Sequence, residues 1–265
     1  MKVIAVMGSP KGKGSGFKVV KKIEERMKTL GDTEFEYLFL KDANIQLCKG
    51  CFTCIGKGED KCPLKDDLAS VEKKLLEADG IILSSPVYVL NVSWLMKNFI
   101  DRFAYTNHRP RFFGQKVLTV VNTGGIGKKE ALSSIKYALG GARIVQELGV
   151  ATPPWPEKEK AVEKKERAIE NAADNFYRSC LDKRLPSPSF YEYMGFLILK
   201  HISAELPDYL AADLKFYAGK DYYYDVKISP LKKLAAGAMF RFAMAMMKDM
   251  GPGNVKWPRN EINEE

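Results

Sequence analysis

Lys2-Val3-Ile4-Ala5-Val6-Met7, running straight into Gly8-Ser9-Pro10-Lys11-Gly12-Lys13-Gly14-Ser15-Gly16, is the stretch on which the fold turns. The first six residues form an apolar run without alternation, the pattern of a parallel strand covered on both faces. The nine that follow are a small-residue turn. Residues 17–30 then place Val19, Val20, Ile23 and Met27 on one helical face before Gly31-Asp32 ends the helix. A buried strand that passes through such a turn into an amphipathic helix is the first half of a β-α-β unit.

Outward from that unit the pattern recurs. Residues 34–40 alternate as a second strand, and Asp66-Asp67 can cap a helix to Ala78 that turns Leu68, Val71, Leu75 and Leu76 inward. Residues 80–84, 116–121 and 142–150 read as further buried strands, and 92–103 and 128–139 as helices. Strand and helix alternating with short connections specify an α/β fold, a five-stranded parallel sheet doubly wound by helices. Ligands of such sheets lie beyond the carboxyl ends of the strands, where strand order reverses. The loops at 8–16, 84–93 and 122–127 therefore hold the chemistry. Pro153-Pro154-Trp155-Pro156 marks a boundary, giving a domain over 1–155 and a C-terminal helical extension over 156–265. Within the extension, residues 157–182, 191–204, 207–217 and 231–250 have helical character.

The bulk numbers set limits. Of 265 residues, 46% are hydrophobic and 28% charged, enough apolar content to bury a core. Net charge is +9, with 24 basic against 16 acidic residues before position 156 and 18 against 17 after it. The excess on the front domain suits an anionic ligand. Basic residues are scattered among acids and form no nucleic-acid motif, so no nucleic-acid partner is expected. No window approaches the roughly 20 apolar residues of a membrane span, and residues 3–7 are too short for a signal-peptide core. The expectation is a cytoplasmic protein without a membrane partner. Met239 to Met250 reads as a core or dimer helix in preference to a membrane-surface helix.

In the first loop, small residues let backbone N–H groups converge, the helix adds its positive end, and Ser9, Ser15 and Lys11 add side-chain donors. Those are the needs of a phosphate monoester. The spacing fits neither a P-loop nor a dinucleotide fingerprint, because Phe17 stands where the third glycine of the latter would fall. In the second loop, Pro86 stiffens the backbone, Tyr88 offers a flat face, and Asn91 to Ser93 offer donors, which suits a planar heterocycle. Thr123-Gly124-Gly125 lets backbone approach its rim. The two histidines, His108 and His201, form no nucleophile–base pair.

Taken together, Met7-Gly8-Ser9-Pro10-Lys11, Ser85-Pro86-Val87-Tyr88 on through Lys97-Asn98-Phe99-Ile100-Asp101-Arg102, and Thr123-Gly124-Gly125 resemble the flavodoxin-like family of NAD(P)H-dependent flavin mononucleotide (FMN) reductases. The resemblance covers about residues 1–150. It implies that Ser9, Lys11 and Ser15 bind the flavin phosphate, that Pro86, Val87, Tyr88, Asn91 and Val92 border the ring, and that Thr123 and Gly124 touch its polar rim. The family often carries Ser or Thr where Gly16 stands, a donor that Lys13 could replace. NAD(P)H is the implied co-substrate, and a homodimer or homotetramer the implied assembly.

Cys48, Cys51 and Cys54, followed by Cys62-Pro63, are spaced like ferredoxin ligands. They also resemble the compact run with which iron–sulfur flavoproteins of the same fold bind a [4Fe-4S] cluster. The alternative is a cysteine-rich loop of redox-active thiols. Cys180, alone in the tail, reads as a small buried hydrophobe. The expected function is an FMN-dependent oxidoreductase that takes hydride from NAD(P)H and passes electrons to a small acceptor, an electron-carrier partner or the cluster. A non-enzymatic flavodoxin-type carrier and a cysteine-based redox or metal sensor on the same scaffold are the alternatives. The tail, with Tyr222-Tyr223-Tyr224-Asp225, resembles that of longer members of the group and reads as helices packed on the domain, with a lid or subunit interface as its functional alternative.

Overall fold

Alternating apolar strands and amphipathic helices become the following elements in the computed structural model, which describes residues 1–246. In chain order they are β1 (Lys2–Met7), α1 (Ser15–Leu30), β2 (Glu34–Phe39), α2 (Thr53–Gly56), a 3-10 turn (Glu59–Lys61), α3 (Leu68–Leu76), β3 (Gly80–Tyr88), β4 (Asn91–Val92) and α4 (Trp94–Arg102). There follow α5 (Tyr105–His108), β5 (Lys116–Thr123), α6 (Lys128–Ile135), β6 (Arg143–Ala151), α7 (Glu159–Leu181), α8 (Phe190–Glu205), α9 (Ala211–Tyr217) and α10 (Pro230–Met246). The chain divides into two compact units, Met1–Lys49 with Pro63–Arg184, and Gly50–Cys62 with the chain from Leu185 onward.

In the first unit five strands run parallel in the order β2-β1-β3-β5-β6. Among the parallel strands this is the flavodoxin order, and its direction reverses between β1 and β3. The expected fold class is therefore the observed one. β4 adds a short antiparallel pairing to the end of β3, Val87 with Val92 and Tyr88 with Asn91. For that reason α4 begins at Trp94, later than the expected 92. Val3, Ala5 and Met7 point to one face of the sheet, where Val19, Val20, Ile23 and Met27 of α1 meet Ile169, Ala172, Ala173, Phe176 and Cys180 of α7. Ile4 and Val6 take the opposite face and are as deeply buried.

The boundary expected at the proline cluster is displaced. α7 belongs to the first unit, and the cysteine segment from Gly50 to Cys62 belongs to the second. The physical reason lies in the apolar stripe of α7, which completes the core under α1. Cys180 is buried there as expected, and burial pushes its thiol up to about 12.

The second unit has an aromatic core. Tyr193, Met194, Phe196, Tyr217, Tyr222 and Ile228 are buried together, with Tyr223 and Tyr224 packed against them. The tyrosine block thus serves packing. Ser189 and Glu192 close a reciprocal capping box on α8. α10 departs from the expectation of a core helix. Ala236 is its one buried residue, and Met239, Phe242 and Met246 are exposed. The expected continuation to Met250 lies outside the described residues.

Candidate functional site

Three loops of the first unit stand at the carboxyl ends of β1, β3 and β5, where the sequence placed them. The β1 loop is anchored at its start. Gly8 N–H donates to the Ser84 carbonyl at 2.7 Å, and Ser93 Oγ donates to the Gly8 carbonyl. A side chain at Gly8 would meet Met96 Cβ at 2.9 Å and the Ser84 carbonyl at 3.1 Å, so β1, β3 and α4 close on one another only over glycine. Beyond it the loop curls through a left-handed Gly12 (φ +64°), with Gly12 N–H bonded to the Ser9 carbonyl and Lys11 N–H to Ser9 Oγ. Ser9 is buried, whereas Lys11, Lys13 and Ser15 are exposed around the rim.

At the end of this loop α1 begins at Ser15 after Gly14, with no side chain capping it and no acidic residue in its first turn. Its first N–H groups have no intrahelical acceptor, and the helix dipole adds positive potential there. An uncapped sixteen-residue helix that starts at Ser15, after a loop carrying Ser9, Lys11 and Lys13, has the chemistry to hold an anion.

The β3 loop is a hairpin that periodicity did not reveal. Its two turn residues, Val89 and Leu90, both have positive φ (47° and 60°), as a type I′ turn requires. Asn and Gly fit such positions, whereas a β-branched valine is strained there. Val89 is also 98% exposed, so no packing offsets the strain. The hairpin carries Tyr88 half-exposed at the carboxyl end of β3. Asn91 Oδ1 accepts from Val92 N–H at 2.8 Å, which commits the oxygen of the Asn91 amide to the hairpin.

In the β5 loop, Thr123 Oγ1 donates to the Ile126 carbonyl at 2.7 Å and accepts from Gly125 N–H at 3.1 Å. Its proton is committed to shaping the loop. The exposed Gly124 is the open approach. Leu90 packs close to Gly127, joining the hairpin to this loop. Asn122, read in the sequence only as the first residue of this loop, stands beside the start of α1. Its Oδ1 lies 2.7 Å from where a Gly16 side chain would begin, and its Nδ2 donates to Thr152 Oγ1. That contact gives the physical reason for glycine where the family often has Ser or Thr.

α4 ties these loops to the approach to the cysteines. At its start Ser93 holds Gly8 and accepts from Met96 N–H. One turn on, Asn98 Oδ1 accepts from Cys48 N–H at 2.9 Å while its Nδ2 donates to the Gln46 carbonyl. At its end Arg102 donates to the same carbonyl at 2.8 Å and forks onto both oxygens of Asp66. The Arg102 and Asp66 side chains are 2% and 1% exposed. Burial by itself would raise the Asp66 carboxyl, but Arg102 and the N–H groups of Gln46 and Leu68 outweigh it and hold it below the usual range.

Cys48, exposed, follows this clamp in the first unit. Cys51, Cys54 and Cys62, all partly buried, lie in the second unit, Cys54 on α2 and Cys62 just after the 3-10 turn. Left-handed Gly50, Phe52 and Gly58 bend the chain between them. The thiols suit iron in their chemistry. Among the described residues, however, no three Cys, His, Asp or Glu side chains are gathered as a metal would need. The expected quartet of ligands is thus a set by sequence, not by the geometry described. None of the described helices is long and apolar enough to cross a membrane.

Comparison with known proteins matches this geometry. Residues 1–153 match the family model described as NADPH-dependent FMN reductase. An iron–sulfur flavoprotein of Archaeoglobus fulgidus is 39% identical over 149 residues, spanning 54% of this chain and 71% of that protein. An iron–sulfur flavoprotein of Methanocaldococcus jannaschii is 30% identical over 199 residues, spanning 69% of this chain and 99% of its own. Among solved structures, a flavone reductase superposes with a TM-score of 0.53 at 16% identity, over 70% of this chain and 66% of that one, a likeness of fold. The chain belongs to the NADPH-dependent FMN reductase family of oxidoreductases, beside relatives named as iron–sulfur flavoproteins.

Proposed function

We propose that the chain binds FMN across the β1/β3 switch point and, with NAD(P)H as hydride donor, reduces a small acceptor or an electron-carrier partner. The observation that carries this reading is the uncapped, carboxylate-free start of α1, facing the same edge of the sheet as the strained Val89-Leu90 hairpin. The N–H groups of α1 with Ser9, Ser15, Lys11 and Lys13 would hold the phosphate. Pro86, Val87, Tyr88, Asn91 and Val92 would flank the ring, and Gly124 would meet its rim. Bound flavin supplies the redox chemistry, so the protein's part is orientation and electrostatics, and neither histidine is required. The four cysteines Cys48, Cys51, Cys54 and Cys62 would hold a [4Fe-4S] cluster, a reading supported by their spacing and by the names of the relatives.

Titration of flavin-free protein with FMN, followed by fluorescence quenching, tests the site. Lys11→Glu is expected to weaken binding by roughly tenfold or more, since it removes a charge-assisted contact and opposes the phosphate. Unchanged affinity would remove the phosphate assignment. NADPH oxidation by the purified protein tests the activity, and an anaerobic visible spectrum with iron and sulfide assays tests the cluster.

A further inference from the structure

α10 turns its apolar side away from the body it packs on. Toward the second unit's core it offers the buried Ala236, with Phe240 edge-on to His201 of α8 at 5.2 Å between ring centroids. Outward it presents Leu231 (78% exposed), Leu234, Met239, Phe242 (67%) and Met246 (69%). At 3.6 residues per turn these fall on one stripe, with Lys232 on one margin and Arg241 on the other. From Pro230 to Met246 the helix carries three cations and no carboxylate. Lys232 Nζ donates to the Pro188 carbonyl, which fixes that margin, and Lys233 stands 3.7 Å from Asp221. Contiguous exposed apolar stripes of this kind mark interaction surfaces.

We infer that this stripe docks on an anionic lipid bilayer, with α10 lying in the plane of the interface. Charge decides among the occupants. A second copy laid antiparallel on the stripe would set one cationic margin against another, with no acid on either helix to neutralise them. Anionic headgroups neutralise both margins while the acyl boundary accepts Leu231, Phe242 and Met246. The helix lies along such a surface and does not cross it, since no described helix is long and apolar enough to span.

Flotation of the full-length protein with vesicles tests this. One set is phosphatidylcholine alone, the other phosphatidylcholine mixed with phosphatidylglycerol. The protein should float with the mixed vesicles severalfold better than with phosphatidylcholine, and less well as salt rises. Leu231→Asp with Phe242→Asp should abolish flotation while leaving the circular-dichroism melt and flavin content unchanged, because both side chains are exposed. Should that double variant fold poorly, Arg241→Gln gives an independent reading, with partitioning reduced about fivefold. Absence of flotation, equal flotation on both lipids, or flotation unaffected by Arg241→Gln overturns the inference. So does a wild-type dimer in sedimentation that Phe242→Asp converts to a monomer without any vesicle binding.

Discussion

Val89 is the residue at which local preference and structure disagree most openly. A hairpin turn with both φ values positive favours Asn-Gly, and sequence rules look for that pair. Val-Leu hid the turn, which is why residues 92–103 read as one helix. Val89→Asn is expected to stabilise the flavin-free protein by about 1 kcal/mol, measured by denaturant unfolding, because it relieves strain without losing packing. Gly16 disagrees more quietly. Its glycine could be seen as a departure from the resembled family, but its cause, Asn122 Oδ1 at 2.7 Å, is a contact between distant loops that no spacing encodes. Gly16→Ser should weaken FMN binding, and Asn122→Ala should restore part of it. A double-mutant cycle read by FMN titration is expected to show coupling of about 0.5–3 kcal/mol.

At the scale of elements, α4 shows how a legible helix can have an illegible use. The helix itself follows from the sequence, and its Lys97 to Arg102 run carried much of the family resemblance, but its Ser93 cap does not, because the pattern reads as helical from 92 onward. Nothing in the spacing says that Asn98 and Arg102 would reach back to Gln46, Cys48 and Asp66. Removing Arg102 leaves the Asp66 carboxylate sealed without its partner, and Arg102→Leu should cost about 3–5 kcal/mol in chemical unfolding. The sign with pH follows from the depressed Asp66 carboxyl. Its contribution is complete above the unfolded value of about 3.9 and disappears as pH falls through the lower folded value. α1 and β2 share a second such group. Glu24 is held at about 2 because Lys21, Lys28 and Tyr37 together outweigh the burial that would raise it. Its share of stability is lost between pH 4.5 and about 2. Glu24→Gln should flatten the acid limb of the stability profile in that window, as followed by pH-dependent melts.

For the whole molecule, alternation of strands and helices made the parallel sheet and its ligand edge readable, because each depends on local period and on short connections. The partition of the chain was not readable. Prolines at 153–156 look like a border, yet α7 beyond them fills the core beneath α1 with Phe176 fully buried. Phe176→Ala should therefore cost about 3–5 kcal/mol and lower the unfolding transition of the sheet-bearing unit itself. The cysteine loop is the converse case. It interrupts the first unit in sequence, but its Gly56 lies against the Tyr209 carbonyl, and a side chain there would stand 2.6 Å from that oxygen.

That discontinuity has a consequence for biosynthesis. A ribosome delivers residues 50–62 well before the chain from Leu185 onward that completes their unit, and at about 5–20 residues per second the interval lasts several seconds or more. During that time Cys51, Cys54 and Cys62 emerge with their scaffold still unmade. Until translation finishes, the fold that partly buries these three thiols does not exist to shield them.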